Sequence, residues 1–210
     1  MNKNISNEII TILEEIIPNP VCELDYNNPF ELLIATILSQ QTKDKRVNEV
    51  TKVLFSKYPN PESLMNAQID EVEKIIAPVG LGKMKSKNII MASKDLYYKY
   101  NSIVPSNLDY LMLLSGVGRK TASVVLAEAF KIPAVPVDTH VLRVSNRLGY
   151  AKSDNPLVVE EALKKYIPKD KWILSHHLFI HFGRYKCLSK NPMCSECKLK
   201  NYCKEKNKNL

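Results

Sequence analysis

Four of the five cysteines lie close together near the end of the sequence, where they could bind a metal centre. They are separated by six, two and five residues and comprise Cys187, Cys194, Cys197 and Cys203. Thiolates suit either a zinc ion or an iron–sulfur cluster, and structural zinc usually takes two close pairs, of which only Cys194/Cys197 is present. The spacing predicts one metal centre and leaves its type open. Cys22 has no cysteine near it in the sequence and is predicted to be a small core residue.

A second group of residues that could do chemistry surrounds two glycines in Leu114-Ser-Gly-Val-Gly-Arg-Lys-Thr-Ala122. Gly116 and Gly118 precede a predicted helix that begins at Arg119, and glycine leaves backbone N–H groups unobstructed. A helix N-terminus with accessible donors and the positive end of the helix dipole binds phosphate. The pattern predicts either a phosphate-backbone site or a helix–helix corner whose glycines only allow the turn.

The composition places these residues in an ordinary folded chain with a basic surface. The 210 residues are 45% hydrophobic and 25% charged, which excludes a mainly disordered protein. No run of about 18 apolar residues occurs, so a membrane-spanning helix is excluded and no membrane partner is expected. A net charge of +8 favours a polyanionic partner. The first residues lack the features of a secretory signal, so a cytoplasmic location is expected.

Helical patterns follow one another along the whole chain, so the predicted fold class is all-α. Ser6, Asp44 and Asp70 are predicted to cap three of the helices. The segment from Phe30 to about Gln40 is apolar around its whole circumference and is predicted to be the central helix. Further helices are predicted at 84–100, 107–114, 119–130, 139–148, 156–166 and 170–182. The proline-containing segment 132–137 is predicted to be an extended connector.

The glycine turn and the cysteines, taken with three further segments, resemble a known family. The segments are Leu32-Leu-Ile-Ala-Thr-Ile-Leu-Ser-Gln-Gln41, Gly80-Leu81 and Val137-Asp-Thr-His-Val-Leu-Arg143. In this order they resemble the endonuclease III family of helix-hairpin-helix DNA glycosylases, over nearly the whole chain. The resemblance implies two helical lobes that flank a DNA-binding cleft. It implies a helical barrel lobe with the hairpin at 22–132, and an iron–sulfur cluster lobe formed by 1–21 and 133–210.

The resemblance also implies an enzyme of base excision repair. Members of the family cleave the N-glycosidic bond of damaged bases, usually oxidised pyrimidines, and then nick the strand by β-elimination. Lys120 matches the family's nucleophile, and Asp138 matches its catalytic aspartate. The implied partner is double-stranded DNA with damaged bases or abasic sites, bound by a monomer that is associated with the nucleoid.

The implied reaction suits the chemistry of these two residue types. An amine that attacks C1′ displaces the base and leaves an imine, which makes elimination of the 3′-phosphate feasible, whereas a hydroxyl cannot form the imine. A carboxylate at Asp138 would stabilise positive charge at C1′ or accept a proton, and it is also a good N-cap for the helix from Thr139. Only an uncharged amine attacks C1′. We therefore expect the Lys120 ammonium to lose its proton, either because bound DNA desolvates it or because the proton passes to Asp138.

Further roles also follow from the resemblance. It implies a 4Fe–4S cluster bound by the four clustered cysteines. Gln41 and Leu81 match positions that fill the gap left by an extruded base. Independently of the resemblance, Gly116, Gly118 and Arg119 are expected to bind DNA at the predicted phosphate site, and Lys190 is either a backbone contact or part of a solvated rim of charge. Arg143 and Arg147 lie one helical turn apart and could pair with carboxylates or phosphate.

Two alternative functions stay open from the sequence. A mismatch-specific glycosylase for thymine or uracil would share the fold, although known monofunctional thymine-mismatch relatives lack the nucleophilic lysine. A non-enzymatic DNA-binding module would use only the hairpin and the basic surface. Binding of phosphate alone gives no reason for a carboxylate at Asp138, which favours the enzyme.

Overall fold

The computed structural model of the chain describes residues 1–209, which contain helices and no β-strand. The all-α prediction is therefore confirmed. The helices are α1 (Lys3–Ile16), α2 (Pro29–Leu38), α3 (Asp44–Lys57), α4 (Pro61–Met65), α5 (Ile69–Ile76), α6 (Gly82–Tyr100), α7 (Leu108–Met112), α8 (Arg119–Phe130), α9 (Thr139–Arg147), α10 (Pro156–Tyr166) and α11 (Trp172–Tyr185), with short 3₁₀ helices at Ala77–Val79 and Lys169–Lys171. No helix in this described part of the chain has the length and apolar character needed to cross a membrane.

Contacts within the chain define two compact units. One comprises Met1–Cys22 together with the chain from Pro133 onward, and contains α1, α9, α10 and α11. The other is Glu23–Ile132 and contains α2 to α8. The segment 132–137, which joins the second unit to the first, has neither helix nor strand, as its prolines predicted.

The centre of the Glu23–Ile132 unit is α2, as its uniformly apolar sequence predicted. Every residue from Phe30 to Leu38 is buried. The Asn28 side chain accepts a hydrogen bond from the Glu31 backbone N–H, and Pro29 occupies the first helical position, so the helix begins with a regular cap. Helices α3, α6 and α8 pack against α2. Three turns, one after α2, one before α6 and one before α8, therefore adjoin helices that pack on one buried helix.

The predicted caps of three other helices are wrong by a few residues. Ser6 is buried inside α1, where its hydroxyl lies 2.9 Å from the Tyr150 hydroxyl, and Asn2 caps the helix instead. Asp44 and Asp70 are the first and second residues of α3 and α5, and no side chain caps either helix. An aspartate is favoured both at the cap and in the first turn, because the helix dipole attracts it in both places.

In the other unit, α9 and α11 approach each other closely enough to require a glycine. A Cβ added at Gly183 of α11 would lie 2.9 Å from the His140 Cβ and 3.2 Å from the Val144 Cγ2. The hydrophobic core of this unit includes the fully buried Val141 and Phe179 from the same two helices. This packing brings the start of α9 next to the C-terminal end of α11, where the cysteine loop begins.

Candidate nucleic-acid interface and cysteine centre

The turn after α2 presents Gln41 to solvent in a strained conformation. Gln41 lies three residues beyond the end of the helix, is exposed, and has a φ of 57°. The hydroxyl of the next residue, Thr42, donates to the Val79 carbonyl oxygen at 2.6 Å. The neighbouring Gln40 uses its Nε2 to donate to the Gly116 carbonyl oxygen at 3.0 Å. The turn at 39–43 is thus bonded to both of the other turns in this unit.

The turn that precedes α6 presents an apolar side chain in a strained conformation. Gly80 has a φ of 67°, and Leu81, the N-cap residue of α6, follows in the left-handed region with a φ of 52°. Leu81 is 51% exposed, although a leucine in this conformation costs about 1–3 kcal/mol. An exposed apolar side chain at the tip of such a turn is suited to insertion between stacked bases.

A buried lysine that the sequence did not indicate joins these two turns. Lys85 of α6 is 1% exposed, and its Nζ donates to the Leu38 carbonyl at 2.8 Å, the Thr42 Oγ1 at 2.9 Å and the Val79 carbonyl at 2.9 Å. Burial lowers the pKa of Lys85, while three acceptors match the three N–H donors of its ammonium group. Lys83 and Lys87 are exposed, and their spacing does not distinguish Lys85 from them.

The third turn contains the two glycines of the predicted phosphate site, and they have different roles. Gly116 has a φ of +76°, and a Cβ there would lie 2.9 Å from the Asn88 Cβ, so the turn requires glycine. Gly118 has a φ of −91° and open space around the position of a Cβ. The fold does not need glycine at 118, but a missing side chain leaves the start of α8 accessible to a phosphate.

The start of α8 carries the predicted nucleophile. The Gly118 N-cap makes no side-chain cap hydrogen bond. Arg119 and Lys120 are the first two residues of the helix, the arginine half-buried and the lysine exposed. The Lys120 ammonium makes no hydrogen bond or ion pair within residues 23–132. Its amine is therefore accessible to a bound ligand.

Asp138 is the N-cap of α9, as the sequence predicted. Its Oδ1 accepts the backbone N–H groups of His140 and Val141, both at 2.8 Å. These two bonds fix the orientation of the carboxylate and use one of its oxygens. The other oxygen, Oδ2, makes no hydrogen bond within the described residues of this unit and can act on a ligand.

His140, two residues after Asp138 in the same motif, is held by contacts within its own unit. Burial lowers the pKa of His140 and is the largest effect; Asp138 raises the pKa, the nearby Arg143 and Arg184 lower it, and the net shift is downward. The imidazole is therefore neutral at pH 7. Its Nδ1 lies 3.3 Å from the Arg143 Nη2, which can only donate, so this nitrogen is the acceptor.

Arg143 and Arg147 mainly hold the cysteine loop, which differs from the predicted pairing with carboxylates or phosphate. Arg143 Nη2 donates to the carbonyls of Gly183 and Cys187, at 2.8 and 3.0 Å. Arg147 Nη1 donates to the Leu188 carbonyl at 2.7 Å and lies 3.3 Å from the Cys187 Sγ. Only Arg147 also contacts a carboxylate, with Glu205 at 3.4 Å from its Nε. Helix α9 therefore positions Cys187, the first of the four clustered cysteines.

The four clustered cysteines line a single cavity of about 330 Å³, together with apolar residues such as Leu148 and Phe182. All four are free thiols. Burial raises the pKa of Cys197, a backbone hydrogen bond at Leu199 lowers it, and the charges of the other three cysteines, which line the same cavity, raise it further. Such a set of facing soft donors fits a cationic centre that removes the thiol protons. Among residues 1–209, no three His, Cys, Asp or Glu side chains are arranged to hold a single metal ion.

Lys190 is exposed, three residues after Cys187 on the loop that Arg147 holds. It therefore belongs to the unit that contains Asp138 and the cysteines. Gln41, Leu81, Gly116, Gly118 and Arg119, the other predicted DNA-binding residues, all lie in the Glu23–Ile132 unit and on its three linked turns.

These turns, and Asp138 with its helix, fall inside a match to a known superfamily. A family model for the HhH-GPD superfamily base excision DNA repair proteins matches residues 34–169. The match includes all three turns, Lys120 and the N-cap of α9. The chain therefore belongs to the HhH-GPD superfamily of base excision DNA repair proteins.

Individual relatives narrow this class further. Endonuclease III of Bacillus subtilis (strain 168) is 46% identical over 192 residues, which cover 91% of this chain and 88% of that protein. Endonuclease III of Haemophilus influenzae is 44% identical over 208 residues, 99% of each chain. A solved structure of a trapped endonuclease III–DNA covalent intermediate superimposes with a TM-score of 0.94 at 45% identity, covering 98% of this chain and 97% of that one. The chain belongs to the endonuclease III family, which confirms the resemblance seen in the sequence.

The contrast between the two glycines of the third turn leads to a first prediction. Gly116→Ala places a Cβ against Asn88 at positive φ, so we expect the free energy of unfolding to fall by about 1–3 kcal/mol. Gly118→Ala meets no neighbour and has an ordinary φ, so we expect a loss below about 1 kcal/mol, with weaker duplex binding. Urea unfolding and duplex titration at one salt concentration measure both effects. Equal losses of stability in the two variants would contradict this assignment.

Proposed function

We propose that this chain is a bifunctional DNA glycosylase and apurinic/apyrimidinic lyase that removes damaged bases, chiefly oxidised pyrimidines. The observation that carries the proposal is the exposed amine of Lys120, placed at the start of α8 directly after the glycine turn. It occurs in a chain that aligns over almost its whole length with endonuclease III proteins. A protein that only bound DNA backbone would need a positive charge there but not a nucleophile.

The three linked turns provide the DNA-binding surface of the Glu23–Ile132 unit. The open start of α8, with Gly116, Gly118 and Arg119, binds a backbone phosphate through N–H donors and positive charge. Gln41 and Leu81 enter the space that the extruded nucleotide leaves. Lys190, which belongs to the unit that contains Asp138 and the cysteines, contacts the DNA backbone. These contacts position the duplex but do not select the lesion.

Lys120 is the nucleophile of the reaction. Its uncharged Nζ forms a bond to C1′, and the N-glycosidic bond breaks as the base departs with the bonding electrons. The C1′–O4′ bond of the sugar then breaks, O4′ takes up a proton, and an imine remains between the lysine nitrogen and C1′. Water is not the nucleophile in this step. The imine acidifies the C2′ hydrogen, so loss of that proton expels the 3′-phosphate and nicks the strand. Because Lys120 is exposed in the free protein, covering by DNA removes the water that stabilises its ammonium form.

Asp138 supplies a carboxylate to the same reaction. Its Oδ1 is used by the backbone of α9, so the orientation of Oδ2 is set before DNA binds. A fixed negative charge stabilises the positive charge that develops at C1′ as the base leaves, and it can accept a proton from the lysine. Capping of the helix and catalysis are therefore compatible functions of one side chain.

We assign Cys187, Cys194, Cys197 and Cys203 to a 4Fe–4S cluster. The support is that all four thiols line one cavity and that the donor set is purely thiolate, as such clusters require. When bound, the cluster cross-links the loop after α11 and has a structural rather than a redox role. Arg147 and Arg143 hold the Cys187 end of the loop by hydrogen bonds to its sulfur and carbonyl groups. Lys190 is carried by the same loop.

We assign the protein to the cytoplasm, where it acts as a monomer on DNA of the nucleoid that contains damaged bases or abasic sites. The bacterial origin of the endonuclease III relatives supports this location. We also assign the hairpin lobe to the Glu23–Ile132 unit and the cluster lobe to the other unit.

Trapping of the imine tests the role of Lys120. With an abasic duplex and borohydride, the natural protein is expected to form a covalent adduct, and Lys120→Ala is expected to reduce its yield by about 100-fold or more because it removes the proposed nucleophile. Denaturing gels quantify the adduct. Lys94→Ala removes an exposed lysine of the same unit and is the matched control, with an unchanged yield.

Two outcomes of the trapping experiment would contradict the lyase. Absence of an adduct from the natural protein would favour a monofunctional mismatch glycosylase or a DNA-binding module. An undiminished adduct with Lys120→Ala would place the nucleophile elsewhere. Release of thymine or uracil from mismatched duplexes, measured in the same samples, separates the mismatch enzyme from the binder.

Substitution of Asp138 by asparagine separates capping from catalysis. Asn caps helices as well as Asp, so we expect thermal stability close to that of the natural protein. Base release under single-turnover conditions is expected to slow by about 100-fold or more, since the negative charge is gone. Asp138→Ala, which removes both functions, should lower stability by about 1 kcal/mol in addition. Full activity of the asparagine variant would show that the charge is not used.

Removal of one thiol tests the cluster assignment. The purified natural protein is expected to contain about four iron and four sulfide per chain. Cys197→Ser, at a half-buried position of the cavity, should abolish most of both and the visible absorption that accompanies them. Cys22→Ser is the matched control and should keep the full content. Stoichiometric zinc without sulfide in the natural protein would show that the centre is a zinc site.

A further inference from the structure

The buried Lys85 joins the two turns that carry Gln41 and Leu81, and no step of the proposed reaction uses it. Its three hydrogen bonds end on Leu38, the last residue of α2, on Thr42, next to Gln41, and on Val79, two residues before Leu81. We call these four residues the Lys85 junction. Within it, the Thr42 hydroxyl accepts a hydrogen bond from the Lys85 ammonium and donates one to the Val79 carbonyl. The four residues therefore form one continuous hydrogen-bond network.

The junction has to hold two strained turn tips. Gln41 and Leu81 have φ values of 57° and 52°, and neither residue is a glycine. Backbone in this region relaxes unless its surroundings hold it. Gln41 is exposed and Leu81 is 51% exposed, so contacts of their own side chains supply little of the constraint. The constraint must come from neighbouring residues, which include Thr42 and Val79 of the junction.

Lys85 makes a connection that the rest of the junction does not. The Thr42–Val79 bond ties one turn to the other but does not reach α2. Among the groups of the junction, the Lys85 ammonium is the one that also bonds to the end of α2, which connects both turns to the buried centre of the unit. A buried ammonium is expensive to desolvate, and an apolar side chain of the same length would fill the space. The three directed bonds are what such a side chain cannot supply.

We propose that Lys85 is a positioning residue for base extrusion, which holds the Gln41 and Leu81 tips at the spacing needed to enter the gap in the duplex together. This inference rests on the proposed glycosylase function. Two tips that are already ordered lose little entropy when they enter the gap, whereas loose tips must be ordered at that moment. Loss of the junction therefore weakens extrusion more than it weakens binding of an undamaged duplex.

The experiment uses the full-length protein and a duplex with one oxidised pyrimidine and 2-aminopurine as the neighbouring base. The variants are Lys85→Met, Leu81→Ala, the double variant, and Leu96→Ala, which removes a fully buried side chain from the other end of α6 and controls for lost stability. Thr42→Val, which breaks the Thr42–Val79 bond and removes one acceptor of Lys85, replaces Lys85→Met if that protein does not fold.

Four measurements are made on each protein. They are thermal stability, affinity for undamaged duplex, the rise in 2-aminopurine fluorescence on binding the lesion duplex, and single-turnover base release. Lys85→Met is expected to lower the fluorescence rise and to slow base release by about tenfold or more, with affinity within about twofold. In the double variant the combined loss should be smaller than the product of the two single losses, because part of the Lys85 effect acts through Leu81. Leu96→Ala should lose stability and keep both signals.

The opposite results would overturn the inference. Losses that multiply in full in the double variant, or an equal loss in Leu96→Ala, would show that Lys85 only stabilises the fold. Amide hydrogen exchange in the free protein gives an independent decision, because Lys85→Met must speed exchange at residues 40–42 and 79–82 if the junction orders them. If the natural protein releases no base at all, the proposed function fails, while the exchange experiment still decides whether Lys85 holds the turns.

Discussion

A buried ammonium group with three oxygen acceptors organises the surface that faces DNA in the proposed function. The turns at 39–43 and 79–82 expose non-glycine residues at positive φ, a conformation that an isolated loop does not keep. Lys85 bonds both turns to the end of α2, and Gln40 bonds the first of them to the glycine turn before α8. Three separate segments are therefore ordered by buried polar contacts, while their tips stay open to solvent. The hydrogen bonds that order the turns lie beneath the surface, and the side chains proposed to contact DNA lie on it.

The other unit uses the same principle with different groups. A helix cap fixes one oxygen of Asp138 and leaves the second accessible. Further along α9, Arg143 and Arg147 donate hydrogen bonds to the loop that begins with Cys187, and the missing side chain of Gly183 allows α9 and α11 to approach. Helix α9 therefore positions a carboxylate at its start and a cysteine loop along its side. A change in the packing of α9 affects both sites.

Much of this architecture could be predicted from local patterns. The apolar circumference of α2, the Asn28–Pro29 start and the Asp138 cap each depend on a few neighbouring residues, and the structure has all three. The predicted caps at Ser6, Asp44 and Asp70 were wrong, because polar residues within the first turns of a helix compete for similar roles. The sequence predicts carboxylate or phosphate partners for Arg143 and Arg147. Their principal partners are instead backbone carbonyls 40 or more residues away, which no local pattern indicates.

The amino-acid sequence by itself determined the all-helical class, the family, the glycine-turn motif that contains Lys120 and the set of thiol donors, because each depends on residue types at short, regular spacing. Only the tertiary structure separated Lys85 from Lys83 and Lys87, distinguished the required glycine at 116 from the optional one at 118, and enclosed the four thiols around one cavity. The physical reason is that burial and close approach depend on which distant segments pack together. No local pattern carries that information.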